Sequence, residues 1–330
     1  MEIEVPNSYA TGWYQIGWSR ELDAGDVKPV RYFDQDLVMF RGESGAVRVL
    51  SAHCAHLGAN LGYGGTVAGD DIICPFHGWR WSHEGQNVDI PYADRTQRNR
   101  KLACSAVRET HGIIWMWYDQ DRGAPEWDPP FVPEYDSGEF STIRIEEATM
   151  TWRSLRLRPQ WVIENVVDAV HLEWVHKYKY PCRIESYGPE GTMFRSSLSI
   201  PFPDDPDNRV MVSFDNSVWG VGTVVVRGQG QKGRSIHIQS ATPVDSEHSD
   251  FFAAAAFRSD VSEDTSTDTE LSEAALRNVD VLRDNLEADI VIWQQMEYIQ
   301  RPPLTAYEAK PYFAMRRWSR EFYPEVKAGT

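Results

Sequence analysis

Two short pairs of cysteine and histidine restrict this chain more than any other feature of its sequence. Cys54 and His56 form the first pair, and Cys74 and His77 form the second after a span of seventeen residues. Each pair offers one thiolate and one imidazole, so the four side chains supply two sulfur and two nitrogen ligands. Glycines that permit tight turns lie between the pairs and directly after the second pair, at Gly58, Gly62, Gly64, Gly65 and Gly78. The stretch therefore predicts two facing loops that hold one metal centre.

Two kinds of metal centre use this ligand set. In a Rieske-type [2Fe–2S] cluster, two histidines replace two cysteines on one of the irons. Each loop can then place its cysteine on one iron and its histidine on the other. Zinc also binds two cysteines and two histidines, but zinc motifs usually keep like ligands together, as Cys-x-x-Cys followed by His-x₃₋₅-His. Because each loop here carries one ligand of each kind, the spacing favours the cluster over zinc.

Length, charge and cysteine use limit the class of protein. A chain of 330 residues favours two domains, and a formal net charge of −16 argues against nucleic acid or an anionic membrane as the main partner. No apolar run approaches the roughly 18 residues of a membrane helix, and no secretory leader is recognisable, so a cytoplasmic protein is predicted. Cys104 and Cys182 have no ligand partner at metal spacing and are predicted to be buried apolar residues.

The first third of the chain has the pattern of an antiparallel β domain. Six short runs rich in β-branched and aromatic residues lie between residues 12 and 118, and no window keeps a helical period. The cysteine and histidine loops are expected at one end of this domain. The proline-rich run at 122–133 predicts a linker, which places one domain at residues 1–125 and a second at residues 126–330.

The second domain is predicted to be α+β. Strand-like runs at 141–147 and 149–158 precede a helical segment at 159–177, and five more strand-like runs lie between residues 193 and 259. An acidic run at 262–270 is expected to be a mobile loop. A long helix is expected from about residue 269 to 300, ended by Pro302 and Pro303, with the aromatic and basic tail packed on the body.

One glycine motif is a decoy. Gly228, Gly230 and Gly233 match G-x-G-x-x-G, but the dinucleotide fingerprint requires a following helix, whereas the residues that follow read as a strand. A hairpin turn is the better interpretation. No other nucleotide or flavin signature is present, so electrons are expected to come from another protein.

A second metal site is indicated in the helical segment. On an ideal helix, His171 lies about 60° to one side of Asp168 and His176 about 80° to the other, so both imidazoles can converge on one broad face. Two histidines with one carboxylate and open positions form the facial triad of non-haem Fe(II) oxygenases. Ordinary packing or a surface pair is the competing interpretation, and the upstream cluster motif favours iron.

Helical periodicity selects the third ligand of that site. One apolar stripe follows alternating spacings of four and three residues and consists of Ala275, Val279, Leu282, Leu286, Asp289, Trp293 and Met296. Asp289 is its only acid, and a lone carboxylate facing a core is costly unless a cation meets it. A buried ion pair with an arginine is the alternative. Asp280, Asp284 and Glu287 lie off the stripe and are expected to be exposed.

These motifs together resemble those of the Rieske non-haem iron oxygenases. The segments CAH, CPFHGW and NVVDAVHLEWVH carry the resemblance, and CPFHGWRW, IPYADR and EADIVIWQ are similar to oxygenase components of 3-ketosteroid 9α-hydroxylase. The resemblance implies a helix-grip, START-like catalytic domain with an antiparallel sheet and a long C-terminal helix. It also implies a head-to-tail homotrimer in which Asp168 links His77 of one subunit to His171 of the next, and it places Asn165 where the family often keeps an asparagine.

The implied function is that of a terminal oxygenase. Such an enzyme uses O₂, a Rieske cluster, a mononuclear Fe(II) and electrons from a ferredoxin or flavin reductase to hydroxylate a bulky apolar ring substrate such as a steroid. Arene dihydroxylation, O-demethylation and desaturation remain open, whereas the second histidine pair argues against a pure electron-transfer protein. Basic residues predict a donor-docking patch at Arg95, Arg98, Arg100 and Lys101. The expected pocket walls are Trp161, Val167, Val170 and Trp174 with some of Met193, Phe194, Phe214 and Trp219.

Overall fold

The computed structural model describes residues 8–202, 209–230, 233–259 and 269–324. The N-terminal strands are β1 (Gly12–Trp18), β2 (Val27–Tyr32), β3 (Gln35–Arg41), β4 (Val47–Ser51), β5 (Thr66–Ala68), β6 (Asp71–Ile73), β7 (Arg80–Trp81), β8 (Asn87–Asp89), β9 (Cys104–Ser105), β10 (Val107–Thr110) and β11 (Ile113–Tyr118). They form three antiparallel sheets in the orders β1-β11-β10, β2-β3-β4-β9 and β5-β6-β7-β8. This arrangement confirms the predicted antiparallel β domain.

The described residues of the C-terminal part form one seven-stranded antiparallel sheet and four α-helices. Its strands are β12 (Thr149–Leu155), β13 (Arg183–Glu190), β14 (Met193–Pro201), β15 (Val210–Trp219), β16 (Thr223–Gly230), β17 (Gly233–Pro243) and β18 (Ser249–Ser259). Its helices are α1 (Pro159–Glu164), α2 (Val170–Trp174), α3 (Glu273–Trp293) and α4 (Ala306–Ser319). The strand order is β12-β18-β17-β16-β15-β14-β13. The predicted α+β class is therefore confirmed.

Strand β18 explains why this sheet lies at the centre of the molecule. Phe251, Ala253 and Ala255 belong to the same core cluster as the buried face of α3, whereas Phe252 and Ala254 belong to a cluster with tryptophans of the N-terminal strands. A strand buried on both faces loses the alternation of a half-exposed strand. The continuous apolar run in this part of the sequence is the result.

Tryptophans join the N-terminal strands to the sheet. Trp13, Trp18 and Trp115 pack against Ile236 and Ile238 of β17 in one buried cluster. Each indole buries a large apolar area and still needs a partner for its N–H. Trp18 meets that need by donating from Nε1 to the hydroxyl of Thr151 on β12 at 2.9 Å. Apolar burial together with specific hydrogen bonds therefore fixes the two regions against each other.

Three segments depart from the predictions. Residues 141–147 form no strand, since only the first of them bonds to β18, through Ser141 N to Phe257 O at 3.0 Å, and a 3₁₀ turn follows at Glu146–Ala148. The predicted linker is not a loose connection: Val132 is buried, and Trp127 contacts the rings of Trp117 and Phe322.

The long helix also ends early. Helix α3 stops at Trp293 rather than near residue 300, so Met296 lies beyond it and is half-exposed rather than part of the buried stripe. A further helix, α4, was not predicted. The sequence places Pro311 inside it, which disfavours a helix, but its start is fixed by a capping box between Thr305 and Glu308.

Of the remaining predictions, some are confirmed and one is wrong. Cys182 is buried as predicted, but Cys104 is exposed, so that prediction is wrong for Cys104. Gly230 pairs with Gly233 across adjacent antiparallel strands, which confirms the hairpin in place of a dinucleotide site. The acidic run falls almost entirely outside the described residues. No helix in the described part of the chain is long and apolar enough to cross a membrane.

Candidate metal centres and active-site cavity

The two cysteine and histidine loops share one backbone frame. The first follows β4, and the second is the turn between β6 and β7. In the first loop, Cys54 N donates to the carbonyl five residues later and the Cys54 carbonyl accepts from Gly58 N, both at 2.9 Å. In the second loop, the equivalent bonds of Cys74 and Gly78 are 2.8 and 3.0 Å. Both glycines have a positive φ, of 80° and 72°, which suits glycine far better than other residues.

The four predicted ligand side chains lie together at the ends of these loops. The rings of His56 and His77 are 4.8 Å apart, centroid to centroid, and both are half-buried. Cys54 and Cys74 are buried, and burial raises the pKa of the Cys54 thiol. A buried thiolate needs a cation nearby, and an iron–sulfur cluster provides one. Trp81 adds a donor by pointing Nε1 at Cys54 Sγ, 3.3 Å away.

Large apolar side chains around the ends of the two loops are exposed to solvent. Leu57, Tyr63, Phe76 and Tyr92 are between 61% and 71% exposed. Isolated exposed apolar residues are normal, but a group beside one site marks a contact surface. We call these four residues the cluster rim.

The segment expected to be one helix at 159–177 is interrupted. Helix α1 passes into a 3₁₀ turn at Asn165–Val167, and Asp168 leaves helical geometry with φ −98° and ψ 88°. Its carboxylate accepts the backbone N–H groups of Val170 and His171 at 3.2 Å, which starts α2. The ideal-helix geometry is therefore wrong at Asp168, and α2 ends at Trp174, before His176.

His171, His176 and Asp289 converge as predicted. One potential ligand atom from each lies within 4.8 Å of the others. His176 Nε2 is 3.4 Å from Asp289 Oδ1, and both side chains are only 7% exposed. A buried carboxylate facing two imidazoles with no cation between them would be costly. The donor set of two nitrogens and one oxygen therefore fits a divalent iron.

The surroundings of His171 prepare it as a ligand. Its Nδ1 contacts the main-chain oxygen of Asp168, the usual orienting bond of a metal-binding imidazole, which leaves Nε2 for the metal. Burial lowers the pKa of His171, although the nearby carboxylates of Asp168 and Asp289 oppose that change. The ring is therefore neutral at neutral pH, as a ligand must be.

Helix α3 delivers Asp289 to the site. Ser272 caps the helix by accepting from Ala275 N at 3.1 Å. The predicted stripe is buried from Ala275 to Trp293, whereas Asp280, Asp284 and Glu287 are exposed as expected. In the described chain, the contacts of Asp289 are with His176 and Asn165 and not with an arginine. The alternative of an arginine ion pair is therefore wrong.

Two further predicted residues lie beside the triad. Asn165 Nδ2 faces Asp289 Oδ2 at 3.4 Å, so the asparagine contacts the carboxylate directly. The 3₁₀ turn that carries it is held by Ser196, whose hydroxyl donates to Val166 O at 2.7 Å. Asp168 is partly exposed, and its Oδ2 accepts from the hydroxyl of Tyr312 at 3.3 Å.

A cavity of about 900 Å³ opens from the triad between α3 and the sheet. On the helix side it is lined by Ala274, Ala275, Arg277, Asn278, Val281, Leu282, Asn285, Leu286 and Asp289. Of the expected walls only Phe214 lines it: Trp161, Val167 and Phe194 are plain core, while Val170 and Trp174 are exposed. The other expected walls, Met193 and Trp219, do not line it either. The sequence analysis did not predict that polar residues of β17 line the cavity. The alternation of polar and apolar residues along this strand is visible in the sequence.

Two family models match the chain in consecutive segments. Residues 12–105 match the Rieske [2Fe-2S] domain. Residues 116–323, more than half of the chain, match the 3-ketosteroid 9α-hydroxylase C-terminal domain. The chain belongs to the Rieske oxygenases with this type of C-terminal domain. This Rieske oxygenase therefore depends on O₂ and carries a Rieske cluster and a mononuclear iron, and as an oxygenase component it receives electrons from partner proteins.

Curated relatives and solved structures agree with the family. The oxygenase component of a 3-ketosteroid-9-alpha-monooxygenase from Rhodococcus rhodochrous is 27% identical over 341 residues, covering 98% of this chain and 86% of the relative. Cholesterol 7-desaturase from Bombyx mori is 35% identical over 179 residues, which is 53% of this chain and 37% of the relative.

Solved structures show the same fold. Dicamba monooxygenase bound to dicamba has a TM-score of 0.65 at 19% identity, with 94% of this chain and 95% of that chain covered. The NdmA QL mutant of Pseudomonas putida CBB5 with theobromine has a TM-score of 0.74 at 17% identity, with 94% and 89% covered. The predicted family, fold class and cofactors are confirmed, whereas the roles of individual residues remain predictions.

Proposed function

We propose that this Rieske oxygenase is a terminal monooxygenase that hydroxylates a steroid-like ring substrate. The observation that carries the proposal is the convergence of His171, His176 and Asp289 at one end of a long cavity. In this proposal these three side chains hold the iron. The cluster ligands are Cys54, His56, Cys74 and His77.

The chain's own residues have separate tasks in this reaction. When bound, the mononuclear iron supplies O₂ activation, with electrons that arrive from a Rieske cluster. Asp289 supplies the anionic ligand, and Asn165 holds its second oxygen in place. The cavity walls of α3 and the sheet position the substrate and exclude water from the reacting carbon.

The extent of the cavity along α3 favours an elongated substrate. Its lining on α3 runs from Ala274 to Asp289, fifteen residue steps, or about 22 Å at the rise of an α-helix. The cavity volume of about 900 Å³ is within the usual range of small-molecule sites. A fused-ring molecule suits such a space, and the relatives are named for 3-ketosteroid and cholesterol chemistry.

Assembly and electron transfer between subunits form the second part of the proposal. The cluster rim and the exposed side chains of Val170 and Trp174 beside His171 give two separate apolar surfaces on one chain. Different surfaces that meet head to tail can close a ring. We propose a homotrimer in which Asp168 accepts from His77 of one subunit and from His171 of the next, linking the two metal sites.

Subunit mixing tests this assembly. The variants His77→Ala, which lacks a cluster ligand, and His171→Ala, which lacks an iron ligand, are each expected to be inactive. Co-expressed and purified as mixed trimers, they should recover part of the activity, because an intact cluster can face an intact iron site. Recovery in trimers, with none when separately purified trimers are combined, supports the arrangement; no recovery in mixed trimers contradicts it.

The electron donor is proposed to be a ferredoxin or a flavin reductase in the cytoplasm. Arg95, Arg98, Arg100 and Lys101 are all exposed, and a basic patch on an otherwise acidic chain can steer an acidic donor. Reversing the charge of two of these residues should raise the KM for the donor and weaken its salt dependence without changing the KM for the organic substrate.

Product analysis tests the reaction. The reduced protein should show a Rieske-type EPR signal and contain three irons and two sulfides per chain. Reconstituted with a donor, it should convert a 3-ketosteroid to a product that gains one oxygen atom. Desaturation is the second candidate, because cholesterol 7-desaturases match half of the chain. A product that loses two hydrogens would favour it, and O₂ uptake only with arenes would contradict the steroid proposal.

A further inference from the structure

Strand β17 presents polar residues to the interior of the protein. Ser235, His237 and Gln239 line the cavity, whereas the intervening Ile236 and Ile238 are buried against the N-terminal tryptophans. In a half-exposed strand the polar face usually points to water. Here it points into the proposed substrate cavity, so these groups are available to a bound molecule.

One nitrogen of His237 has no hydrogen-bond partner among the described residues. The ring of His237 is partly exposed where it lines the cavity, whereas its Nε2 is enclosed and makes no hydrogen bond in the described structure; the ring lies 5.8 Å from that of Phe257. Burial is the one cause that lowers the pKa of His237, to about 4, with no charged or hydrogen-bonding neighbour contributing. The imidazole is therefore neutral at neutral pH and can either donate or accept one hydrogen bond.

The position of His237 relative to the triad follows from the packing of α3. Trp293 contacts Phe251 at 5.9 Å, ring centroid to centroid, so the C-terminal end of α3 lies over the start of β18. Asp289 lies one helical turn before Trp293, and Ala253, two residues after Phe251, is the cross-strand partner of Gln239. His237 is two residues away from Gln239 on β17, or about 7 Å further along the cavity.

We infer that the imidazole of His237 hydrogen-bonds a keto or hydroxyl oxygen of the substrate and so sets which carbon faces the iron. This inference rests on the proposed steroid-like substrate class and adds the recognition group to it. An unpaired polar group in a buried wall costs free energy, and a substrate oxygen removes that cost. An apolar ring system with one such contact can slide along the cavity only by losing it.

The charges around the cavity favour a neutral oxygen over a carboxylate. Among the described residues, three arginines line the cavity and each faces an acid: Arg234 and Arg258 face Glu139, and Arg277 faces Glu273. The neutral ring of His237 could donate to a carboxylate but would bring no charge to offset its burial, and burial opposes protonation of the ring. The recognised group is therefore a ketone or an alcohol on an otherwise apolar molecule.

Equilibrium dialysis with three radiolabelled steroids tests this inference on the oxidised holoenzyme. The probes are androstan-3-one, androstan-17-one and the oxygen-free parent androstane. His237→Phe should weaken binding of at least one ketone roughly 3- to 10-fold while androstane binds as it does to wild type. The ketone that loses affinity identifies the end of the substrate that meets His237. His237→Gln, which keeps a donor, should recover part of the loss.

His248→Phe is the matched control. His248 lies at the other end of the hairpin formed by β17 and β18, does not line the cavity and contacts Asp245. The same substitution there should leave all three dissociation constants unchanged. In turnover with a donor, His237→Phe should convert the affected ketone to a broader mixture of hydroxylated positions than wild type does.

The outcomes separate this inference from the proposed function. If His237→Phe lowers the affinity for androstane and the ketones equally, or changes none of them, the inference is overturned while the substrate class stands. If the wild-type enzyme binds none of the three steroids, the substrate class is overturned and the inference with it.

Discussion

The two metal sites of this oxygenase are built in opposite ways. The cluster loops lie within one stretch of the chain, and each closes on itself through backbone hydrogen bonds from its own cysteine and glycine. The iron site joins a broken helix to a distant one, with Asn165 and Asp289 in contact across 124 residues of sequence. Local sequence therefore shapes the first site, whereas the second exists only when the whole C-terminal region is folded.

Because of this difference, the two sites are sensitive to substitutions in different parts of the chain. A change in a cluster loop acts directly on that loop's backbone geometry. A change far from the iron site can still disturb it, because α1, α3, α4 and the sheet must all be in place to hold its ligands. Variants that damage one site and spare the other measure how separate the two regions are.

Ligand removal should give the largest effect and the cleanest separation. Cys74→Ser is expected to remove the cluster and its sulfide, and Asp289→Ala to empty the mononuclear site while leaving the Rieske signal intact. Each should lower hydroxylation by more than about 1000-fold. EPR spectra with iron and sulfide counts check this. Loss of the cluster signal in Asp289→Ala would show that the sites are not separate.

A buried ion pair should be the strongest remote support of the iron region. Arg316 on α4 donates to both carboxylate oxygens of Glu164 on α1, at 2.7 and 3.1 Å. Arg316→Met would leave Glu164 charged and unpaired in the interior, with an expected cost of about 3–5 kcal/mol. Chemical denaturation measures the cost.

A double variant controls for the loss of the arginine itself. Adding Glu164→Gln to Arg316→Met removes the unpaired charge, so much of the stability should return. Iron content should fall in the single variant before the Rieske signal does. Equal stabilities of the single and double variants would mean that the charge is not what matters at this position.

Acid should weaken the cavity side of the molecule through His237. Its folded pKa of about 4 lies below the ordinary value near 6.5, so the unfolded chain takes up the proton first as pH falls. Stability from the neutral ring is complete above pH ~6.5 and is lost down to pH ~4, by up to about 3 kcal/mol, less where cavity water reaches the ring.

Comparison with the variant His237→Phe measures the contribution of this histidine to the pH dependence of stability. The variant lacks the titrating group, so wild type should lose more unfolding free energy than the variant between pH 7 and pH 4, with the difference appearing in that window. Denaturation curves of both proteins at several pH values measure it. Parallel pH profiles would show that the ring is solvated when folded.

Two glycine substitutions compare the cluster loops with each other. Gly58 and Gly78 share a positive φ, so an alanine at either should cost about 1 kcal/mol. At Gly78 the new Cβ would also lie 2.9 Å from Pro91 Cγ, whereas at Gly58 nothing lies within 4 Å. Gly78→Ala should therefore cost about 2 kcal/mol and release the cluster faster. Equal costs would place the whole effect in φ.

The same contrast explains what the sequence could predict. All four cluster ligands are spaced within one motif, so residue identity and spacing sufficed to group them. Asp289 was found because a lone acid in an apolar helical stripe is unusual, and the structure places it beside His171 and His176. In both cases the signal was local or periodic.

The misses required knowledge of tertiary contacts. The break at Asp168 depends on a side chain competing with the helix for backbone N–H groups, which periodicity does not register. Apolar residues such as Trp161 and Phe214 read alike in sequence, yet one is core and the other lines the cavity. Helix α4 is fixed partly by Arg316, whose partner lies 152 residues away.

The smallest predicted effect concerns the electronic tuning of the cluster. Trp81 Nε1 donates to Cys54 Sγ at 3.3 Å, and hydrogen bonds to the ligand sulfurs stabilise the reduced, more negative state of a cluster. Trp81→Phe should lower the reduction potential by roughly 20–60 mV, the equivalent of one ordinary hydrogen bond. Trp115→Phe is the matched control, because it loses a comparable bond to Thr110 in the same region. An equal shift in both variants would assign the effect to altered packing, whereas a shift in Trp81→Phe alone shows that the cluster potential is set within its own loops.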